Sequence, residues 1–196
     1  MKPAILLLEF ESIAIGIRAG DAMTKRAPLR SLHTGTIHPG RYLVLAGGEV
    51  GDVEEARKAA RETGGESLRD EVFLPDVHPE VVEALTGRRR RRAGAALGIF
   101  ETHSVPAVIR AADRAVKGTE VSILEIRLAD GLGGKGYVLL AGEVADVAAA
   151  VDLAELSLED PTLLVARVVI PQLHGEMAAN LADHAEFHGR IKGKRA

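Results

Sequence analysis

The sequence contains the same unit twice, in the same order and about ninety residues apart. Residues 9–25 align with residues 101–117, and seven of these 17 pairs are identical. Residues 40–53 align with residues 134–147, where eight of 14 pairs are identical. Unrelated segments match far less often, so the chain is a tandem duplication in which each copy forms the same fold.

The pattern in each copy predicts the same elements: strand, helix, hairpin of two strands, helix, strand and short helix. Apolar runs at 5–10 and 96–100 predict the first strands. Ser12 and Ser104 stand at N-cap positions before the first helices, and Gly- and Pro-rich turns close the hairpins. We expect an α/β (α+β) fold, a ferredoxin-like variant, in which each copy forms a four-stranded, mainly antiparallel sheet with flanking helices.

Five adjacent arginines, Arg88–Arg92, stand between the two copies. Like charges repel one another and resist packing, so we interpret this run as a solvated linker. A patch for nucleic acid or for an acidic partner is the alternative. The predicted organisation is a first repeat at residues 1–87, an Arg-rich linker at 88–94, a second repeat at 95–183 and a basic C-terminal tail at 184–196.

The composition restricts the partners and cofactors of the chain. Its formal net charge is −3, so we expect no nucleic acid as a partner. It contains no cysteine, which excludes disulfide bonds and any cluster or zinc site held by its own thiolates. The apolar run after Met1 is too short for a signal peptide, and no stretch is long enough to span a membrane. We therefore expect a cytoplasmic protein without a membrane partner.

Four short motifs carry a resemblance to a known family: Ala22–Lys25, Asp113–Gly118, Gly131–Lys135 and Gly142–Val147. Over residues 4–183 the chain resembles the bacterial microcompartment shell proteins. Its two copies in unpermuted order are similar to the trimeric tandem-domain class, in particular to the propanediol-utilisation members. The resemblance implies a structural protein and not an enzyme. It also implies a homotrimer, or pseudohexamer, that tiles with other shell proteins around encapsulated enzymes.

In that family the hairpin loops between the second and third strands line a central pore for small molecules, metal ions or electrons. Small glycine-rich turns suit this role, because their backbones can crowd an axis and take positive φ values. The alignment places His38 opposite Leu132 at the narrowest point. The pore residues that the resemblance implies are Ile37, His38, Pro39, Gly40, Asp130, Gly131, Leu132, Gly133 and Gly134.

His38 carries the most distinctive chemistry of these loops. Some members of the class have a cysteine at this position, and three of them hold an iron–sulfur cluster; this chain has none, so a cluster held in that way is excluded. Three copies of His38 on a trimer axis could instead bind zinc, copper or nickel. A constriction whose charge follows pH and a polar lining without special chemistry are the two alternatives.

The family also has residues at the edge where tiles meet, and these match Lys25 and Lys117. The last strand-to-helix turn contains His78 in the first copy and His174 in the second, but the arginine that the family places two residues earlier is missing from both. We expect all four residues at the tile edge. The missing arginine puts the usual hydrogen bonding there in question.

Other functions fit these residues less well. Gly131–Gly136 matches a dinucleotide pattern, but a strand and not a helix follows it. Glu101, His103 and Ser104 lie close in sequence, yet Ser104 is better explained as a helix cap than as a nucleophile. The main alternative to a shell protein is an oligomeric small-molecule-binding regulatory protein of ferredoxin-like fold. An enzyme that acts at a subunit interface is the least supported of the three interpretations.

Overall fold

The computed structural model describes residues 4–87 and 95–183. The predicted Arg-rich linker at 88–94 and the basic tail at 184–196 lie outside these residues. Each repeat has seven elements in the same order, with a short 3-10 turn before its last strand. The first repeat comprises β1 (Ala4–Phe10), α1 (Ile13–Arg26), β2 (Ser31–Ile37), β3 (Arg41–Gly48), α2 (Val50–Gly64), β4 (Leu68–Leu74) and α3 (Pro79–Leu85).

The second repeat follows the first element by element, and neither copy is permuted. It comprises β5 (Ala96–Thr102), α4 (Val105–Gly118), β6 (Ser122–Leu128), β7 (Gly136–Gly142), α5 (Val144–Leu156), β8 (Leu164–Ile170) and α6 (Gly175–Asp183). The sheets have the strand orders β2-β3-β1-β4 and β6-β7-β5-β8, and their neighbouring strands are antiparallel. The predicted pair of four-stranded α+β repeats is confirmed.

Helices α1 and α4 begin where the sequence predicts. The Ser12 hydroxyl accepts the N–H of Ile15, and the Ser104 hydroxyl accepts the N–H of Ala107. These bonds satisfy amides that the first helical turn leaves unpaired. Glu49 and Glu143 precede α2 and α5, but neither makes a side-chain capping bond. Their negative charge is still favourable at the N-terminus of a helix.

Small side chains bring the helices close to the sheets. At Gly64 in α2, an added Cβ would lie only 2.6 Å from Cε1 of the buried Phe10 ring. A side chain there would force the helix away from β1. Close packing of this kind explains how a chain with only 3% aromatic residues builds a dense core.

One apolar cluster spans both repeats, and a second lies within the first repeat between β1, β3, α1 and α2. Helix α4 of the second repeat packs on β4 and β1 of the first, and α3 packs on β6 and α4. The first repeat contributes Val72, Val77 and Val81 to a cluster that also contains Ile109 and Ile123 of the second. Among the described helices, none has the length and apolar character needed to cross a membrane.

Candidate pore loops and repeat contacts

The two hairpin loops lie next to each other in one chain. The first joins β2 to β3 through the cis His38–Pro39 bond, and the second joins β6 to β7. The backbone of Gly134 approaches the first loop so closely that an added Cβ would lie 3.0 Å from Pro39 Cδ and 3.1 Å from the His38 carbonyl oxygen. Its φ of 86° also favours glycine. The loops of both repeats therefore form one continuous surface.

His38 and Asp130 are the polar side chains that meet across these loops. The His38 Nδ1 atom lies 3.9 Å from Asp130 Oδ1, and each side chain is 74% exposed. Ile37 and Gly134 are buried, Leu132 is half-buried, and Pro39, Gly40, Gly131 and Gly133 are exposed. The structure thus brings the predicted pore residues of one chain together; their place around a pore stays a prediction.

Basic side chains flank these loops and are paired with glutamates. Arg41, just after the first loop, donates from Nη1 to Glu9 Oε1 at 2.9 Å and from Nε to Glu11 Oε2 at 3.2 Å. Lys135, the equivalent residue after the second loop, donates to Glu101 Oε1 at 2.6 Å. Sequence reasoning missed Arg41 and Lys135. Their repetition at an offset of 94 was the signal that could have identified them.

Glu9 also joins the two repeats. Its Oε2 atom accepts the backbone N–H of Val105 at 2.8 Å, at the start of α4. The carboxylate is fully buried, and burial raises its pKa although the Val105 N–H and the charges of Arg41 and Arg69 oppose this. A carboxylate at a helix N-terminus is electrostatically favourable, so Glu9 fixes where α4 begins on the first repeat.

Asp70 and Glu71 on β4 also contact the second repeat, and the pKa values of their carboxyl groups shift in opposite directions. Asp70 accepts a hydrogen bond from the Ser104 hydroxyl, and burial raises its pKa. Burial opposes ionisation of Glu71 as well, but hydrogen bonds from Arg61 and Arg57 outweigh it and lower the pKa of Glu71. The backbone carbonyl of Glu71 accepts from Arg110 of α4 at 2.6 Å. The pKa values of these neighbouring carboxyl groups therefore shift in opposite directions, because only Glu71 accepts hydrogen bonds from two guanidinium groups.

Two of the predicted edge residues take part in contacts between the repeats. Lys117 donates to the Asp76 carbonyl, and its Nζ lies 2.6 Å from Asp113 Oδ2. The His78 backbone N–H donates to Asp113 Oδ1 at 2.8 Å, and its ring Nδ1 accepts from Glu80. Lys25 pairs with Asp21 at the surface, and His174 accepts from Glu176. The edge role of these four residues stays a prediction.

Some apolar residues are buried where the two repeats pack together. Their counterparts in the other repeat are exposed. Ile109 on α4 is buried, whereas its counterpart Ile17 on α1 is 53% exposed. Val72 on β4 is buried, whereas its counterpart on β8, Val168, is 44% exposed. We call the first surface the α1 face (Ile13, Ile17, Leu32) and the second the α6 face (Val168, Leu173, Met177).

The α1 face contains a shallow cavity. Its volume is about 150 Å³, and its lining residues are Ile17, Gly20, Asp21, Thr24, Leu32, Thr34 and Tyr42. In the second repeat, the equivalent residues Ile109 and Ile123 belong to the cluster that Val77 and Val81 complete. The α1 face is therefore the same surface without its covering helix.

Comparisons with known proteins agree with this architecture. A model of the BMC domain matches residues 4–77 and again residues 96–173. The chain is 44% identical over 183 residues to the bacterial microcompartment shell protein PduT of Citrobacter freundii, covering 93% of this chain and all of that protein.

Solved structures of microcompartment proteins have a similar fold. A microcompartment protein of Desulfitobacterium hafniense superimposes with a TM-score of 0.78 at 38% identity, covering 91% of this chain and 99% of the other. A fused permuted hexameric shell protein of the RMM microcompartment shares the fold, with a TM-score of 0.58 at 21% identity over 82% of this chain and 83% of the other. These relatives are structural proteins and not enzymes. The chain belongs to the BMC-domain family and is a bacterial microcompartment shell protein of the tandem-domain type.

Proposed function

We propose that three copies of this chain close into a ring with a central pore, and that these rings tile with other shell proteins into a facet around enclosed enzymes in the bacterial cytoplasm. The observation that carries the proposal is the pair of exposed faces described above. Each has a counterpart that is buried inside the same chain.

The α6 face fits the α1 face of a second copy by repetition of the contact within the chain. Inside one chain, α3 and β4 of the first repeat cover α4 and β6 of the second. By the same geometry, α6 and β8 of one copy cover α1 and β2 of the next. Met177, which is 49% exposed, then takes the place that the buried Val81 occupies within the chain.

The polar groups at the proposed contact between chains are equivalent to those at the contact between the repeats of one chain. Glu101 is equivalent to Glu9, and it then accepts the N–H of Ile13, the first residue of α1. Lys25 is equivalent to Lys117 and reaches the carbonyl of Gln172, the counterpart of Asp76. These bonds supply the orientation, while the apolar pairs supply most of the driving force.

A contact between two different faces is heterologous. Repeated from copy to copy, it forms a closed ring only when the rotations add up to a full turn. A ring of six similar repeats needs three tandem chains, which is the assembly that the family resemblance implies. The hairpin loops of both repeats then surround the axis, and exposed polar groups such as His38 and Asp130 suit the passage of small polar molecules.

The oligomeric state tests the ring directly. We expect wild-type protein to be a trimer by light scattering, and Ile17→Asp and Met177→Asp to be folded monomers by light scattering and circular dichroism. Leu156→Asp is the matched control, because Leu156 is 81% exposed on α5 and outside both faces. Monomeric wild-type protein, or trimers that survive both substitutions, would contradict the proposal. Electron microscopy of the trimers should show hexagonal particles with a central hole.

A further inference from the structure

Two carboxyl groups of the first repeat lie against the start of helix α4 in the second repeat. Glu9 on β1 and Asp70 on β4 stand directly opposite each other in the register of the two strands. Glu9 Oε2 accepts the N–H of Val105, and Asp70 accepts a hydrogen bond from the hydroxyl of Ser104, which precedes Val105. These two groups, which we call the carboxyl pair, therefore meet at one helix N-terminus.

The second repeat does not reproduce the carboxyl pair. The counterparts of Glu9 and Asp70 are Glu101 and Ala166, which also stand opposite each other, on β5 and β8. The second repeat nevertheless forms the same four-stranded sheet. The fold of a repeat therefore does not require the second carboxyl group, and its presence at the junction between the repeats has to be explained in another way.

Two negative charges at this junction are costly, because the site is screened from water. Glu9 is fully buried and Asp70 is half-buried. Burial raises the pKa of both groups, and the charge of Asp70 adds to the increase at Glu9. When two acids interact in this way, their protons leave as a property of the pair. The form in which the pair holds a proton is therefore favoured.

The cations that face Glu9 are shared with another carboxylate. Arg41 on β3 lies 2.9 Å from Glu9 Oε1, and Arg69 on β4 lies 3.5 Å from it. Both guanidinium groups also bind Glu11, at 3.2 Å and 2.7 Å. Their charges oppose the increase in the pKa of Glu9 but do not cancel it.

The cation that faces Asp70 is shared in the same way. The charge of Arg110 on α4 opposes the increase in the pKa of Asp70. This guanidinium group donates to the Glu71 carbonyl oxygen at 2.6 Å and lies 3.0 Å from Glu159 Oε1. The charge of Glu159 also raises the pKa of Asp70. Ionised Asp70 therefore lacks a guanidinium group of its own.

A cavity beside Asp70 gives protons access to the pair. It has a volume of about 440 Å³ and lies where β4 meets the turn before β8. Its lining residues are Arg69, Asp70, Glu159, Asp160, Thr162 and Leu163. Asp70 can therefore exchange its proton with water while the chain stays folded.

We propose that the carboxyl pair is a pH-sensitive latch that holds the start of α4 on the sheet of the first repeat. While the pair holds a proton, Ser104 and Val105 stay bonded to β4 and β1. Loss of this proton leaves two negative charges side by side, and the first turn of α4 then leaves the sheet more often. The latch lies within one chain, so it does not depend on the proposed ring.

The direction of the effect follows from the raised pKa values. The stabilisation is complete below the ordinary pKa values of the two acids and is lost as the pH rises through the raised ones. Over that interval each proton released makes opening up to about tenfold more frequent per pH unit. Opening at the start of α4 should therefore increase with pH.

Hydrogen exchange followed by mass spectrometry tests the latch on the full chain from about pH 4 to pH 8, with rates corrected for the intrinsic pH dependence of exchange. We expect the protection of residues 103–109 to fall with rising pH in the wild type. Asp70→Asn should keep it constant, and so should Asp70→Ala, which copies Ala166 of the second repeat. Asp160→Asn is the matched control, since Asp160 is exposed and lines the same cavity, and it should behave like the wild type.

The start of α1 is the internal reference, because no second carboxyl group stands at the equivalent position. Residues 11–17 should therefore keep their corrected protection over the same range. Constant protection of residues 103–109 in the wild type, or a fall that persists in Asp70→Asn and Asp70→Ala, would overturn the latch. An equal fall at both helix starts would overturn it as well, because it would indicate a general loss of stability. Circular dichroism verifies that each variant is folded.

Discussion

The Glu9 carboxylate accepts the backbone N–H of Val105 at 2.8 Å, so a residue of the first repeat caps a helix of the second. The equivalent carboxylate, Glu101, has a side chain that is 28% exposed and pairs with Lys135. Its repeat-equivalent target is the N–H of Ile13, which lies at the far end of the same chain. In the proposed ring, the equivalent bond would join Glu101 of one copy to the Ile13 N–H of the next.

Glu101→Ala should weaken the trimer without unfolding the chain. The substitution removes a charged acceptor from the start of α1 at each contact between chains, which costs about 1 kcal/mol per contact. Sedimentation equilibrium should show this as a dissociation curve shifted to higher protein concentration. Glu62→Ala is the control, because Glu62 pairs with Arg26 at the surface. An unchanged curve for Glu101→Ala would exclude the capping role.

Ile109 should stabilise the fold of one chain, whereas the equivalent Ile17 should stabilise the contact between chains. Ile109→Ala creates a cavity in the shared core and should lower the free energy of unfolding by about 3 kcal/mol. Ile17→Ala should cost the dissociated chain less than about 1 kcal/mol but should weaken the trimer. Urea denaturation at low and high protein concentration distinguishes the two effects. Equal losses at low concentration would contradict the assignment of Ile17 to an intermolecular contact.

Asp70 should destabilise the fold as it ionises. Burial raises its pKa above the ordinary 3.8, despite the hydrogen bond from Ser104 and the charge of Arg110. Its contribution to stability is therefore complete below pH 3.8 and is lost as the pH rises through the raised value. Wild-type protein should lose stability relative to Asp70→Asn over that interval. Urea denaturation from about pH 4 to pH 7 measures the difference.

Glu71 should show the opposite dependence. Burial alone would raise its pKa, but Arg61 and Arg57 hold it below the ordinary 4.5. Its stabilising effect is present above pH 4.5 and is lost as the pH falls through the lowered value. Glu71→Gln should cost about 1 kcal/mol at pH 7, because the guanidinium groups of Arg57 and Arg61 lose their shared carboxylate but stay partly exposed to water. A cost that stays constant down to pH 3 would show that these ion pairs do not matter.

Two glycines of helix α1 should respond oppositely to alanine. At Gly16 an added Cβ would lie 2.7 Å from Tyr42 Cδ1 and 2.8 Å from Tyr42 Cβ, so Gly16→Ala should destabilise the first repeat. At Gly20 the nearest atom is 3.8 Å away, an ordinary contact. Gly20→Ala should therefore gain up to about 1 kcal/mol from helix propensity. Thermal unfolding of both variants checks the contrast, and a loss of stability at both positions would contradict it.

The duplication allowed most of the fold to be predicted. An apolar run or capping serine that occurs twice in order is stronger evidence than either copy alone, and Ser12 and Ser104 both proved to be caps. Strand β4, which extends over Leu68–Leu74, was harder to predict, because the first half of it is charged. Arg69, Asp70 and Glu71 conceal the strand, since their charges are compensated by residues on other elements.

The candidate site was predictable only in part. Turn composition and family resemblance indicated both loops, and these loops do lie together. The His38–Asp130 pair was not predictable, because it depends on how one repeat is placed against the other. The Lys117 bond to Asp76 depends on the same placement. Local patterns do not contain that information.

The exposed α1 and α6 faces have a consequence for the life of a newly made chain. They lie on different repeats, and the described residues of a single chain leave both exposed. A chain without partners keeps apolar surface in water and is a substrate for aggregation or for quality-control proteases. Abundance in the cell should then follow the supply of partner copies, and excess chains should be cleared rather than stored.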